Sequence, residues 1–372
     1  MNIGFDAKRV FHNSTGLGNY SREIVNALSK QYPEHQYYLY NPKPGKKTLF
    51  ESKQKNVVER LPSSAFDKFF YNLWRQKNIA DDLKRDKIEL FHGLSGEIPV
   101  GLTKQGIRTV VTIHDLIFVR FPQYFKLIDR KIYFRKFKYA AEHADHIIAI
   151  SEQTKRDVVD FLGAPEEKIT VVYQSCDQVF KQSYDNEQKK RVIRQYELPE
   201  HFLLSVGTVE SRKNLLSVVK AMKNIDSQLL VVGSTKTKYA TELMGYIQTE
   251  GLETKVRFLK GISNEELAIV YQLASVFVYP SLFEGFGIPI IEALYSKTPV
   301  ITTQDGCFKE AAGPGALYIQ DPLQVSEIED KINLLLKNEG LRLDLASKGY
   351  KFVQKFNSET IADDIMSVYR KT

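Results

Sequence analysis

Cysteine is nearly absent from this chain of 372 residues, which holds only Cys176 and Cys307. The two stand far apart and lack metal-ligand spacing. That excludes a disulfide scaffold and favours a reducing, cytoplasmic setting. Long apolar runs are missing as well. None approaches the roughly 20 residues a membrane helix needs, and the opening MNIGFDAKRV has no extended apolar stretch of the kind a secretion signal carries. The expectation is a soluble protein, or one held at most at a membrane surface. There is no low-complexity tract and no short repeat. Hydrophobic residues make up 43% and charged residues 26%, a balance that argues against disorder.

What is present is basic, and unevenly so. The net charge is +7; residues 1–185 hold 29 Lys+Arg against 22 Asp+Glu, whereas residues 186–372 hold 23 of each. An anionic partner for the N-terminal half follows as a hypothesis. The length suits two domains better than one core.

Short, continuously apolar segments alternate with helical ones. The first series of strands is NIGFDA, QYYLYN, NVVERL, IELFHG, RTVVTIH, DHIIAIS and KITVVY; the second is FLLSVG, QLLVVG, VRFLKG, SVFVYP, PVITTQ and ALYIQ. Helices are expected over 18–30, 66–84, 123–143 and 151–162, then 213–224, 236–250, 263–274, 288–296, 323–338, 340–354 and 358–371. Such alternation predicts parallel sheets covered on both faces. The polar stretch 178–200 reads as a linker and its flanks. The fold class is therefore α/β, with two Rossmann-like domains. Residues 1–185 are expected to form the N-terminal domain and 186–355 the C-terminal one, with 356–372 a C-terminal helix that packs back on the first. Ligands of such sheets bind beyond the carboxyl ends of the strands, so the loops there are the places for chemistry.

After the first strand, HNSTGLGNYS brings Gly16 and Gly18 to a helix start, a place for an anion or a close backbone approach. The third position of a dinucleotide fingerprint is Ser21, which argues against a dinucleotide oxidoreductase. VVTIHDL runs a strand into His114 and Asp115, a candidate proton donor or sugar contact. LLSVGTVESRKN ends a strand at Gly207 and Thr208 and sets Arg212 and Lys213 before a helix. Two cations there oppose the helix dipole unless an anion, such as a pyrophosphate, is held. FLKGISNEEL carries a capping box, Ser263 and Glu266, with a structural reading. SLFEGFGIPIIEAL places Glu284 on a glycine-rich turn, followed by Gly285, Phe286, Gly287 and Ile288, and Glu292 one turn into the next helix. Carboxylates accept hydroxyl hydrogen bonds well, so the pair suits a polyhydroxy ligand. Residues 120–144 hold seven Lys+Arg and seven aromatics in 25 residues, a composition suited to an anionic membrane surface or a phosphate-bearing lipid.

The stretch PSLFEGFGIPIIEAL resembles the Glu-x7-Glu motif of retaining glycosyltransferases of family 4. TGLGNYSREIVNAL, TIHDL, IIAISEQTKRDVVDFLGAPEEKITVVYQSCD and LLSVGTVESRKNLLSVVKAM resemble that family's other segments in order and spacing. The resemblance implies a GT-B architecture, two parallel-sheet domains facing across a cleft, the first on the acceptor side and the second binding the nucleotide sugar. It also implies a nucleotide-sugar donor, retention at the anomeric carbon, and neither metal nor cofactor. The chain has no Asp-x-Asp, the metal signature of the other major transferase fold. By matching position, Glu284 would contact donor-sugar hydroxyls with the amides of Gly285, Phe286 and Gly287. Glu292 would hold ribose, Lys213 phosphate, and His114 the donor sugar, while Gly16 and Gly18 would line the cleft. Thr208 stands where many members have arginine, and Arg212 would supply the guanidinium; TQDGCFKEAAGPG departs from the family pattern apart from Glu310. The GTVESRKN variant resembles mannosyl-transferring members, so GDP-mannose is the expected donor, with UDP-linked sugars as the alternative. A saccharide or lipid-linked saccharide is the expected acceptor, and nucleic acid is not an expected partner. A non-catalytic binder of anionic polymers would explain the basic half but not carboxylates gathered at strand ends.

Overall fold

A computed structural model describes residues 1–45 and 49–372. The chain divides into two compact units, Met1–Ser175 with Phe356–Thr372, and Cys176–Lys355. The break thus falls at Ser175/Cys176, ahead of the 185/186 boundary drawn from composition.

Among the described residues, the first unit contains seven parallel strands: β1 (Asn2–Asp6), β2 (Gln36–Tyr40), β3 (Val57–Arg60), β4 (Leu90–Gly93), β5 (Arg108–Ile113), β6 (His146–Ala149) and β7 (Ile169–Val171). Their order is β3-β2-β1-β4-β5-β6-β7. The second unit contains β8 (Phe202–Val206), β9 (Gln228–Val232), β10 (Val256–Leu259), β11 (Val276–Tyr279), β12 (Val300–Thr303) and β13 (Ala316–Ile319), also all parallel, in the order β10-β9-β8-β11-β12-β13. Each sheet reverses its strand order beside its first strand, the switch point at which α/β sheets bind ligands. All thirteen apolar segments read as strands are strands. Central ones such as β4, β11 and β12 are buried at every residue, as helices on both faces require.

The C-terminal helix Ser358–Lys371 belongs to the first unit. Ile361, Ile365 and Tyr369 join the core built from Ile3, Phe5, Ile24 and Leu90. The second core gathers residues such as Val218, Leu229, Val278 and Ile301.

Three local expectations needed revision. The segment 178–200 is not a linker throughout: Asn186–Tyr196 is a helix, closed by a capping box between Asp185 and Gln188. Its charged surface buries only Val192 fully, so it lacks the apolar stripe that marks a helix. It is tied to the second unit by Gln195 and Tyr196, which donate to Glu266 at 2.9 and 3.1 Å. The helix expected over 66–84 is broken into Ala65–Phe69, Tyr71–Leu73, a π-helical turn Trp74–Asn78 and Ile79–Arg85. The π turn is where Trp74 and Arg75 turn inward to buried carboxylates: Trp74 Nε1 donates to Asp82 at 2.7 Å, and Arg75 to Asp6 at 2.5 Å. The helix expected over 123–143 begins only at Leu127, after short turns at Ile117–Arg120 and Pro122–Tyr124.

Candidate functional site

In the second unit, the strand ends converge on one carboxylate. Glu284 follows β11 by five residues, and its turn is pinned to the 3-10 turn Ser211–Lys213 that follows β8. Leu282 N donates to the Arg212 carbonyl at 2.8 Å, and the Arg212 guanidinium donates to the Phe283 carbonyl. The Glu284 carboxylate accepts from Lys213 Nζ at 2.6 Å and Arg212 Nη1 at 2.7 Å. Ser281 Oγ at 2.7 Å and Tyr279 OH at 2.9 Å complete its surroundings. Lys213 Nζ also reaches the Tyr279 hydroxyl and stands 4.8 Å over that ring. Arg212 bridges to Glu210 at 2.6 Å. Burial would raise the Glu284 carboxyl, but Lys213 and Arg212 outweigh it and hold it at about 2.

This corrects the expectation for Arg212 and Lys213 in one respect. They are not cations waiting at a helix start. The helix Leu215–Ala221 begins only after Asn214, itself in the left-handed region at φ 54°. Both cations are held by the same carboxylate that is expected to touch the sugar. With Glu210 also paired to Arg212, the cluster holds two cations and two carboxylates, and the Glu284 and Lys213 side chains each keep part of their surface open.

Gly287 caps the helix Ile288–Tyr295 with φ 111°, a value that favours glycine, and Phe286 packs inside at 2% exposure. Gly285 is buried in the turn, and Ile288 opens the helix partly exposed. Gly207, at φ 140°, ends β8 beside Lys213 Cε, 3.4 Å from where a Cβ would stand. Thr208 next to it is exposed. Glu292 lies on the helix as expected. Tyr271 OH donates to its Oε2 at 3.1 Å. It keeps some accessible surface, yet protein atoms surround it. Burial pushes its carboxyl up to about 7, with Tyr271 opposing and Asp177 adding to the rise. Two glutamates eight positions apart thus hold opposite protonation tendencies.

In the first unit, the glycine loop, His114 and Asp115 lie at the carboxyl ends of β1 and β5. Asn13 Oδ1 organises the loop, accepting from Thr15 N at 2.9 Å and Gly18 N at 3.0 Å. A Cβ on Gly18 would fall 1.9 Å from the Asn13 carbonyl oxygen, whereas one on Gly16 would meet nothing within 4 Å. Gly18 is therefore required by packing, and Gly16 is not. Asp115 Oδ1 accepts from Ile117 N at 3.1 Å and starts the following turn.

His114 stands directly after β5, as expected, and both its ring nitrogens have partners. Its Nε2 is 2.9 Å from the Leu94 carbonyl and its Nδ1 is 3.0 Å from Gln174 Nε2. The Tyr20 ring stands edge-on at 4.6 Å. Burial pushes its pKa down to about 4. A neutral ring with both nitrogens engaged is a positioned group and not an available proton donor.

Sequence reasoning missed the partners that make these sites. Tyr279, Ser281 and Tyr271 stand beside the two glutamates, and Gln174 beside His114. Arg75 joins Asp6, at the end of β1, to Glu97 at 3.0 Å. The only signal in reach was the run of hydroxyl residues in VFVYPSLFE just before Glu284.

Comparison with known proteins agrees with this architecture. The model of Glycosyltransferase Family 4 matches residues 14–178, and that of Glycosyl transferases group 1 matches residues 185–352. The O-antigen chain mannosyltransferase RfbU of Salmonella typhimurium is 35% identical over 211 residues, 56% of either chain. The chain thus spans about half the length of that relative. The O-antigen chain mannosyltransferase B of Escherichia coli is 26% identical, and all of both chains is covered. Among solved structures, sucrose-phosphate synthase of Thermosynechococcus elongatus superimposes with a TM-score of 0.82 at 22% identity, covering 100% of this chain and 98% of that one. Anabaena HepE, solved with UDP and glucose, gives 0.77 at 18%, covering 100% and 99%. With a Family 4 half followed by a group 1 half, on the two parallel sheets of the GT-B fold, the chain belongs to the glycosyltransferases.

Proposed function

We propose that the chain transfers mannose from GDP-mannose to a saccharide or lipid-linked saccharide in the synthesis of cell-surface polysaccharide. Transfer proceeds with retention and without a metal. The observation that carries this reading is the joint placement of Glu284, Arg212 and Lys213 at the ends of β8 and β11, in a chain whose relatives are named O-antigen mannosyltransferases.

The cluster has the parts such a transfer needs. A diphosphate entering beside Glu284 competes for the same two cations. Arg212 offers a planar fork and Lys213 a point charge. As the glycosidic bond breaks, negative charge grows on the departing phosphate, and these groups stabilise it where it forms. One such contact is worth about 2.7–4 kcal/mol, by analogy with an oxyanion donor. Glu284, ionised at any physiological pH, accepts hydroxyls of the sugar, and Glu292 accepts those of the ribose. The amides of Gly285, Phe286 and Gly287 approach the sugar where no larger backbone could. The sugar passes through an oxocarbenium-like state. Attack from the leaving-group face, with the departing phosphate taking the acceptor proton, gives retention without a protein nucleophile. His114, its ring held by the Leu94 carbonyl and Gln174, contacts the donor sugar near the reacting carbon. The protein works in the cytoplasm, with residues 120–144 in peripheral contact with an anionic membrane.

A thermal-shift panel of GDP, UDP and ADP with their sugars tests the reading. GDP and GDP-mannose are expected to raise the melting temperature most. A response confined to UDP-sugars removes the mannose assignment, and no response to any nucleotide removes the whole reading.

A further inference from the structure

The first unit holds a polar cluster that none of the proposed donor contacts uses. Its sheet runs β3-β2-β1-β4, so the strand order reverses between β1 and β4. The crevice beyond those two strand ends is where such sheets take a ligand. Asp6 is the last residue of β1, and Glu97 lies four residues beyond Gly93, the end of β4. One guanidinium ties the two acids together. Arg75, 8% exposed, donates to Asp6 from Nε at 2.9 Å and from Nη2 at 2.5 Å, and its Nη1 stands 3.0 Å from Glu97 Oε2.

The loop that carries Glu97 is fixed from several sides. A Cβ on Gly93 would fall 2.0 Å from the Glu97 carbonyl oxygen, and one on Gly96, at φ 74°, would fall 2.3 Å from the Phe137 ring. The loop therefore folds tightly onto the strand end and onto the helix Leu127–His143. Gly96 N donates to the Thr112 carbonyl at 2.8 Å. The same loop supplies the Leu94 carbonyl, 2.9 Å from His114 Nε2. Glu97 thus stands three residues from the support of the ring proposed to touch the donor sugar.

Both cations reach the same oxygen of Glu97. Lys136 Nζ donates to Oε2 at 3.1 Å, the atom that Arg75 also approaches. Oε1 accepts no hydrogen bond among the described residues, and the side chain keeps 20% of its surface open. Lys8, two residues past Asp6, complements it. Its side-chain amine has neither an ion pair nor a hydrogen bond among the described residues, and the carboxylates that act on it, Glu97 and Asp6, are taken by Arg75 and Lys136. Burial, and Arg75 after it, push that amine below its ordinary value. A partly buried cation without a partner costs free energy that ligand oxygens would offset. An open carboxylate oxygen and an open ammonium within electrostatic reach match a vicinal diol: one hydroxyl donates to the acid, and the oxygen of its neighbour accepts from the amine.

We propose that Glu97 and Lys8 bind two neighbouring hydroxyls of the acceptor saccharide, and that Arg75 is the positioning residue that holds Glu97 for them. The assignment of this diol to the acceptor rests on the transferase reading above; the carbohydrate site itself does not.

Saturation-transfer NMR of the full chain with the methyl glycosides of mannose, glucose, galactose and N-acetylglucosamine, without nucleotide, tests this. At least one glycoside is expected to bind. Glu97→Gln keeps the shape and removes the charge, and should weaken that binding about tenfold, as for loss of a hydrogen bond to a charged group. Lys8→Met should do the same. Lys8 has no partner to lose, so this variant answers even if Glu97→Gln unfolds. The thermal shift given by GDP should keep the parent's value in both. With the bound glycoside as acceptor in a transfer assay, Glu97→Gln should raise the acceptor KM and leave the donor KM unchanged. Arg75→Lys, which keeps the buried charge and loses the fork, should do likewise. A parent that binds no glycoside, variants that bind it like the parent, or a Glu97→Gln protein that folds and loses the GDP shift overturns the proposal. Glycoside binding through Glu97 without any nucleotide response would sink the transferase reading and leave the carbohydrate site standing. A nucleotide response without glycoside binding would do the reverse.

Discussion

The Glu284 carboxylate and the Lys213 ammonium lie 2.6 Å apart, and Arg212 holds the other carboxylate oxygen at 2.7 Å. The group expected to grip the sugar is thus the resting counter-ion of the groups expected to grip the phosphates. A donor bound as proposed would redistribute these pairs.

Glu284→Gln separates the two roles. The amide no longer competes for Arg212 and Lys213, so GDP should bind as well as to the parent or more tightly. Turnover should fall roughly 100- to 1,000-fold, as for loss of a group that acts on the reacting sugar. Calorimetry with GDP and a transfer assay check both halves. A loss of GDP affinity would mean that Glu284 builds the phosphate site itself.

Glu292 gives a pH dependence. With its carboxyl raised to about 7 from 4.5, the folded state holds a proton that the unfolded chain releases. Its presence therefore destabilises the unliganded protein increasingly as pH rises from about 4.5 to 7, by about 3 kcal/mol at the upper end. Glu292→Gln should raise the melting temperature at pH 8 and weaken nucleotide binding. Ribose hydroxyls favour the ionised form, so binding near pH 6.5 should release protons, seen as a buffer-dependent heat in calorimetry. A heat independent of the buffer would place the ribose elsewhere.

Two buried histidines act in the opposite sense. Burial holds His114 at about 4 and His92 at about 3, below the ordinary 6.5. The unfolded chain protonates first. The stability these rings contribute is full above pH 6.5 and falls as pH drops through that window, by up to about 1.4 kcal/mol per pH unit for each ring. His92 also joins the C-terminal helix to the sheet, 2.7 Å from Tyr369 OH and 2.8 Å from Thr112 Oγ1. Urea titrations of the parent and of His92→Gln between pH 4 and 7 should show a shallower pH slope in the variant. His114→Ala should keep GDP binding while turnover falls.

The paired glycines of the first loop should respond differently. Gly18→Ala forces a Cβ to 1.9 Å from the Asn13 oxygen and should destabilise the unit by 1 kcal/mol or more, about the lower end for overpacking. Gly16→Ala meets no atom within 4 Å. Its melting temperature should be unchanged, and kcat/KM should fall only if a ligand comes against that backbone. Equal activity in Gly16→Ala and the parent would remove Gly16 from the site.

Much of this protein was legible from its order of residues. All thirteen strands, the parallel sheets, and the helix Ile288–Tyr295 that carries Glu292 follow from patterns a few residues long. The helix Asn186–Tyr196 was hidden because its residues are mostly charged or polar and only Val192 is buried, and the break at 70–78 because Arg75 turns to a carboxylate sixty-nine positions away. The sequence by itself determined the fold and the residue types at the strand ends, since apolar periodicity and turn glycines act locally. Only the tertiary structure decided that Arg212 and Lys213 rest on Glu284, that Glu292 sits beside Tyr271 with a raised pKa, and that His114 has both nitrogens engaged. Those outcomes depend on burial and on partners brought together from distant segments, and no short-range pattern carries that information.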